Sequence, residues 1–247
     1  MKTIVVGNLK GGTGKTTSVA NLAYSLQVLG KRVLVIDADP QTNLTPFFTK
    51  TVRNGHTLSE VLEDSKKVKR CICHSRYPEI DIIKGNSALQ ESDVTDGDWL
   101  ENALWIVQEK YDYCIIDTRP AFERIAVSAM LAADILLTPV CLDKFCRDNL
   151  NLVDEFLSGM PEQYRPEWKI FANKVDSQRK SQRNIYKDLM EKHDYPFLET
   201  CISRSATIDN ALEYYKPVKR HRAKSPVAQD YMDLAEEILA LTGKEGA

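Results

Sequence analysis

The chain has 247 residues, 43% hydrophobic and 28% charged, with a formal net charge of −2. This composition suits a soluble globular chain with a sizeable core and excludes a disordered one, and the length predicts a single domain over residues 1–247. Nucleic-acid affinity from the surface as a whole is excluded too, so any such affinity must come from a local patch.

Short apolar runs alternate with amphipathic stretches along the chain. Strands are predicted over 3–7, 32–37, 80–84, 113–117, 135–140 and 169–173. Their near-continuous Val/Ile/Leu character is what parallel strands covered on both faces require. Helices are predicted over 15–29, 100–110, 121–132, 148–157 and 227–241. The alternation implies an α/β fold, a doubly wound, mostly parallel sheet flanked by helices. The polar stretch 53–77 reads as a helical excursion. No apolar run approaches the roughly 18 residues of a membrane span. The first residues lead straight into a strand and a glycine loop, unlike a signal peptide, so a cytoplasmic protein is expected.

The first chemistry-bearing stretch is Val6-Gly7-Asn8-Leu9-Lys10-Gly11-Gly12-Thr13-Gly14-Lys15-Thr16-Thr17. It follows a strand and opens an amphipathic helix, the setting of a phosphate-binding P-loop. Glycines let the backbone fold tightly so that successive N–H groups face phosphate oxygens, and the helix N-terminus adds partial positive charge. Lys15 is placed along the β- and γ-phosphates and the Thr16 hydroxyl on Mg²⁺. The ordinary pattern would put its first glycine at position 9, which is Leu9, and a second lysine, Lys10, stands beside it.

Next, Asp37-Ala38-Asp39-Pro40-Gln41 puts two carboxylates at the carboxyl end of a strand, where open α/β sheets hold their ligands. The same pair suits the capping of a following turn. Asp37 is read as support for the magnesium shell. Asp117 ends the buried run 113–117, a Walker-B position that contacts Mg²⁺ through water. Asn173 ends another strand; its amide offers a donor and an acceptor to an adenine edge, although asparagine is also a common turn former.

Six cysteines stand at 71, 73, 114, 141, 146 and 201. Cys114 and Cys141 fit a core in a reducing compartment. Cys71-x-Cys73-His74 has some metal flavour, but no second ligand pair follows at zinc-site spacing, so reduced thiols at a strand edge are expected. Towards the carboxyl end, five Lys/Arg fall within 216–224, read as a loop, and Arg179, Lys180 and Arg183 form a second basic segment before a helix. Such runs neutralise phosphates without reading bases, or are simply solvated faces.

Lys10-Gly11-Gly12-Thr13-Gly14-Lys15-Thr16 resembles the K-G-G-x-G-K-[ST] signature of the ParA/MinD family of deviant Walker-A ATPases. The resemblance runs nearly end to end and is closest to short ParA-type partition ATPases. It implies an ATP hydrolase, weak and stimulated by a partner, with ATP and Mg²⁺ as cofactors. Lys10 would then reach across an ATP-sandwich homodimer to the partner's phosphates, and Asp39, in switch I, would orient the attacking water. On this resemblance the catalytic residues are Lys10, Lys15 and Asp39. ATP falls to Lys10, Gly11, Gly12, Thr13, Gly14, Lys15, Thr16, Thr17 and Asn173, and magnesium to Thr16, Asp39 and Asp117, the acids directly or through water. Arg119 departs from the family's D-x-P-P, which bears on switch II, and Ser203 replaces the proline of its I-P-R-N segment.

Three tasks compete: DNA partition, MinD-like membrane positioning and a metal-cluster or metabolic role. The acidic-faced helix near the carboxyl end argues against the second, and the lack of a C-x-x-C pair against the third. The basic run supports the first, with Arg204, Lys219, Arg220 and Arg222 as contacts to double-stranded DNA of any sequence. No helix-turn-helix precedes the P-loop, so the resemblance implies a ParB-like adaptor for site recognition and a nucleoid-associated location. Relatives that move non-DNA cargo by the same switch are the alternative.

Overall fold

The computed structural model describes residues 1–50, 55–94, 97–193 and 195–243. Its seven strands are β1 (Lys2–Val6), β2 (Val33–Asp37), β3 (Ile72–His74), β4 (Ile80–Ile83), β5 (Tyr113–Asp117), β6 (Ile135–Cys141) and β7 (Glu167–Asn173). They form one sheet in the order β3-β4-β2-β5-β1-β6-β7. Every pairing is parallel except that of β3 with β4. The helices are α1 (Lys15–Val28), α2 (Thr45–Phe48), α3 (Leu58–Glu63), α4 (Val68–Cys71), α5 (Trp99–Val107), α6 (Arg124–Leu131), α7 (Cys146–Ser158), α8 (Lys180–Lys192), α9 (Ala206–Glu213), α10 (Val218–His221) and α11 (Pro226–Thr242).

Alternation along each strand splits the core into two layers. Ile4, Val6, Val33, Val35, Ile80 and Ile82 face the layer that includes α1, α2 and α11. Val5, Leu34, Ile36, Ile83, Cys114 and Ile116 face the layer of α3–α7. Both faces are covered, which is why the strands read as continuous apolar runs. The outer edge of β7 is closed by the segment 196–198, where Leu198 N–H donates to Ile170 at 2.7 Å and Ile170 N–H donates to Pro196 at 3.0 Å.

All six predicted strands form, with no end moved by more than two residues. Four readings need correction. The stretch 53–77 is not only helical: α3 and α4 are followed by β3, which pairs antiparallel with β4 and was hidden by its short length and polar neighbours; residues 53 and 54 lie outside the described residues. The run 216–224 is not all loop, since α10 forms within it. Lys180 and Arg183 lie on α8 rather than before it. The helix predicted from 121 starts at Arg124, after a turn in which Ala121 N–H donates to the Arg119 carbonyl at 2.9 Å.

One buried amide ties the basic carboxyl-terminal segment to the first helix. Asn21, on α1, donates to the Thr17 carbonyl at 2.7 Å and accepts from the Val218 N–H at 2.7 Å. Asn21→Ala leaves that N–H unpaired inside the protein. The expected loss is about 1–3 kcal/mol of unfolding free energy, read from urea denaturation; an unchanged midpoint would mean that the amide finds another acceptor.

Candidate functional site: the carboxyl ends of β1, β2 and β5

Sheet register builds this site. Val6, the last residue of β1, stands opposite Asp117, and Asp37 stands opposite the same residue from the other side. The loop leaving β1 therefore runs directly over two strand-end carboxylates. Gly12 and Gly14 take φ of 73° and 92°, conformations that favour glycine. A Cβ on Gly14 would come within 2.5 Å of the Asn173 amide nitrogen. No acidic residue occupies the first turn of α1 and no side chain caps it, so its N-terminal N–H groups suit a phosphate.

Lys15 is buried at the start of α1. Desolvation holds its pKa below the ordinary value, opposed by the nearby charges of Asp117 and Asp39. Thr16 donates its hydroxyl proton to Asp117 Oδ2 at 2.7 Å. Asp117 is fully buried, and burial, reinforced by the charge of Asp37, pushes its pKa well above the usual range. Asp37 accepts from the Thr45 N–H at 2.8 Å and the Thr45 hydroxyl at 2.6 Å, yet burial still raises its pKa to about 6. Asp39 accepts from the Gln41 N–H at 2.9 Å.

Asp37 Oδ1 and Asp117 Oδ1 are buried without a hydrogen-bond partner. Two orphaned carboxylate oxygens beside a threonine hydroxyl form an oxygen donor set that fits Mg²⁺, an ion that takes few protein oxygens and completes its shell with water and phosphate. No cluster of three or more His, Cys, Asp or Glu side chains suited to holding a metal by themselves occurs among the described residues. Cys71 is buried, Cys73 lies on β3, and His74 Nδ1 is hydrogen-bonded to Asp81 at 2.7 Å.

Four residues that sequence reasoning did not single out, or read differently, brace the loop. Asn8 donates to the Pro139 carbonyl at 2.8 Å, and its Oδ1 accepts from the Lys10 N–H and from Asn149. Asn173 donates to the Thr13 carbonyl at 2.7 Å, while its oxygen accepts from the Lys174 N–H. That leaves one N–H and one lone pair of the amide for a base. Lys174 donates to the Gly12 carbonyl at 2.8 Å. No local pattern marks Asn149 or Lys174, and of the Asn8 partners only the Lys10 N–H is local; the others lie more than 130 residues away.

The two lysines of the loop differ in their surroundings. Lys10 forms an ion pair with Asp143 and lies 5.6 Å from the centre of the Phe145 ring. Arg119 pairs with Glu91 and Glu123 at 3.4 and 3.1 Å, and Glu91 also accepts from the Ile125 N–H. Arg119 thus fastens the segment after Asp117 to a neighbouring loop. Of the basic candidates, Arg204, Arg220 and Arg222 are exposed and Lys219 is partly covered. In sequence, α9 lies between Arg204 and the other three.

An AAA-domain family model matches residues 1–170. The virulence plasmid ParA family protein pGP5-D of Chlamydia psittaci is 31% identical, the match covering 96% of this chain and 94% of the relative. The chain belongs to the ParA family. The chromosome partitioning protein ParA of Caulobacter vibrioides is 27% identical over 97% of this chain and 94% of its own length. Apo McdA from Cyanothece superposes with a TM-score of 0.85 at 25% identity, covering 97% of this chain and 99% of McdA. This ParA-family chain is a P-loop ATP hydrolase.

The raised pKa of Asp37 makes a signed prediction. A carboxyl whose pKa is raised on folding contributes stability that is present below its ordinary value of 3.8 and lost as pH rises through about 6. Asparagine has no such dependence. Relative to the parent, Asp37→Asn should therefore gain about 3 kcal/mol between pH 4 and pH 8 without nucleotide or divalent cation. Denaturation curves of both proteins across that range check it; a constant difference would place the titration elsewhere.

Proposed function

We propose that this chain is a ParA-type switch for DNA segregation, residues 1–247 acting as one ATPase domain. ATP joins two copies, the dimer binds duplex DNA without reading its sequence, and hydrolysis stimulated by a ParB-like adaptor releases it. Plasmid or chromosomal DNA is the cargo, and the setting is cytoplasmic, on the nucleoid. The observation that carries this reading is the position of Lys10. It sits at the mouth of the phosphate loop, half-exposed and held by Asp143, while Lys15 occupies the buried position beside the carboxylates.

Within one subunit, Lys15 and the N–H groups of the loop neutralise and orient the phosphates. Thr16, Asp39 and Asp117 would hold the cation, the acids directly or through water, and Asp39 would also orient water for in-line attack. When bound, magnesium supplies neutralisation of the charge that develops on the phosphate oxygens. Lys10 leaves Asp143 and supplies its charge across the dimer, so turnover requires two copies. Asn173 contacts the adenine edge with the remaining groups of its amide.

The alternative of membrane positioning has less support. The apolar stripe of α11, including Tyr231, Leu234, Ala235 and Ile238, is buried, and the helix packs on α1. No helix among the described residues is long and apolar enough to cross a membrane.

Lys10→Ala should bind ATP but remain monomeric by light scattering, with turnover reduced roughly 10²-fold or more. Wild-type turnover in that variant would overturn the role given to Lys10. The DNA claim is tested by mobility shifts on unrelated duplexes. Binding is expected with ATP and Mg²⁺ and not with ADP, and should weaken steeply with salt. Arg204→Ala and Arg222→Ala should each lower the slope of log K against log salt by about 0.9. A dimer that ignores DNA but sediments with anionic vesicles would overturn the partition reading in favour of the membrane alternative.

A further inference from the structure

A cleft of about 510 Å³ lies far from the phosphate loop along α1, lined by Tyr24, Gln27, Arg76, Tyr77, Lys216 and Arg220 among others. Three stretches of chain meet there: the last turns of α1, the turn between β3 and β4, and the link through α10. Three of its lining residues are cations, and no carboxylate lines it among the described residues. We infer that this cleft seats one backbone phosphate of duplex DNA, with Arg76 as a contact that extends the basic surface beyond the carboxyl-terminal segment. The inference rests on the DNA-binding reading proposed above and assigns it a specific place.

Several observations converge on a phosphate. Arg76 is anchored: its guanidinium donates to the Pro46 carbonyl at 2.6 Å and its backbone N–H to the Phe48 carbonyl at 2.9 Å. That side-chain bond uses one of five guanidinium N–H groups, and the planar fork matches phosphate oxygens. Tyr24 and Tyr77 meet edge to face with ring centres 5.1 Å apart and form an aromatic wall of the cleft. Lys216 Nζ lies 5.5 Å from the centre of the Tyr214 ring. Arg220 is carried by α10, whose first N–H is fixed to Asn21 of α1, so the cation and the tyrosine wall share one support.

The cleft is continuous in sequence with the exposed cations of the basic run. Arg222 follows α10 directly, and Lys219 precedes Arg220 on it. A duplex laid on this segment brings successive phosphates past the cleft. The volume exceeds that of a single phosphate and leaves room for its flanking sugars. Contacts of this kind fix the position of a duplex and carry no base information.

The test compares the full chain with Arg76→Gln and Arg76→Lys, each with ATP and Mg²⁺ at concentrations where light scattering reports the dimer. Mobility-shift titrations on one duplex are run from about 0.05 to 0.3 M salt. Arg76→Gln is expected to lower the slope of log K against log salt by about 0.9 per subunit in contact, which is roughly eightfold weaker binding at about 0.1 M salt. Arg76→Lys keeps the charge and should retain most of the slope. Lys216→Gln is expected to act in the same direction as Arg76→Gln. An Arg76→Gln protein with wild-type slope and affinity overturns the phosphate seat while leaving the proposed function intact, provided Arg204→Ala and Arg222→Ala weaken binding. A wild-type dimer that binds no duplex at any salt overturns the function and the seat together. Equal weakening by Arg76→Gln and Arg76→Lys with an unchanged slope would show a packing role and also overturns the seat.

Discussion

Three carboxylates and one ammonium crowd the carboxyl ends of two adjacent strands, and the rest of the site is arranged around that charge. The register of the sheet sets Asp37 opposite Asp117, and the polypeptide then turns Lys15 and Thr16 over them. Burial raises the pKa values of both aspartates and lowers that of Lys15, so each charged form is disfavoured relative to water. Thr45 satisfies one oxygen of Asp37 and Thr16 one oxygen of Asp117, while the second oxygen of each is without a hydrogen bond. Such an arrangement is unfavourable for folding and favourable for binding, because a charged ligand completes what the protein alone leaves unsatisfied.

Holding a glycine-rich loop in one conformation beside those charges needs support from outside the loop. Glycine lowers the steric cost of the positive φ angles but raises the entropy lost on ordering. Asn8, Asn149, Asn173 and Lys174 provide the compensating hydrogen bonds, two of them directly to loop carbonyls. The same packing explains why Gly14 has no room for a side chain: the Asn173 amide occupies the space. The loop's two lysines then diverge in environment. Lys15 is enclosed, whereas Lys10 lies at the rim in an ion pair that solvent partly screens.

Helix α1 connects the parts of the molecule to which function is assigned. Its N-terminus faces the phosphate loop, its middle holds α10 through Asn21, and its last turns line the Arg76 cleft. Fourteen residues span about 21 Å, so one packed helix runs from the glycine loop to the basic segment. Helix α11 packs along it, burying apolar residues of both.

The glycine pattern, the strand-end acids and the alternating apolar runs were legible because each is a local property. Spacing puts Gly14, Lys15 and Thr16 between a strand and a helix, and the family resemblance could be read from seven consecutive residues. Strand β3 escaped notice because three residues in a polar stretch carry too little periodicity to register. Tertiary structure alone decided that Asn8 and Asn149 share a bond, that Lys10 pairs with Asp143, and that Arg76 lies in one cleft with Arg220. These partners are brought together by sheet order and helix packing across more than 130 residues. Sequence specifies which groups are available and where each local element begins, but distances between remote side chains exist only once the sheet has fixed the strands beside one another.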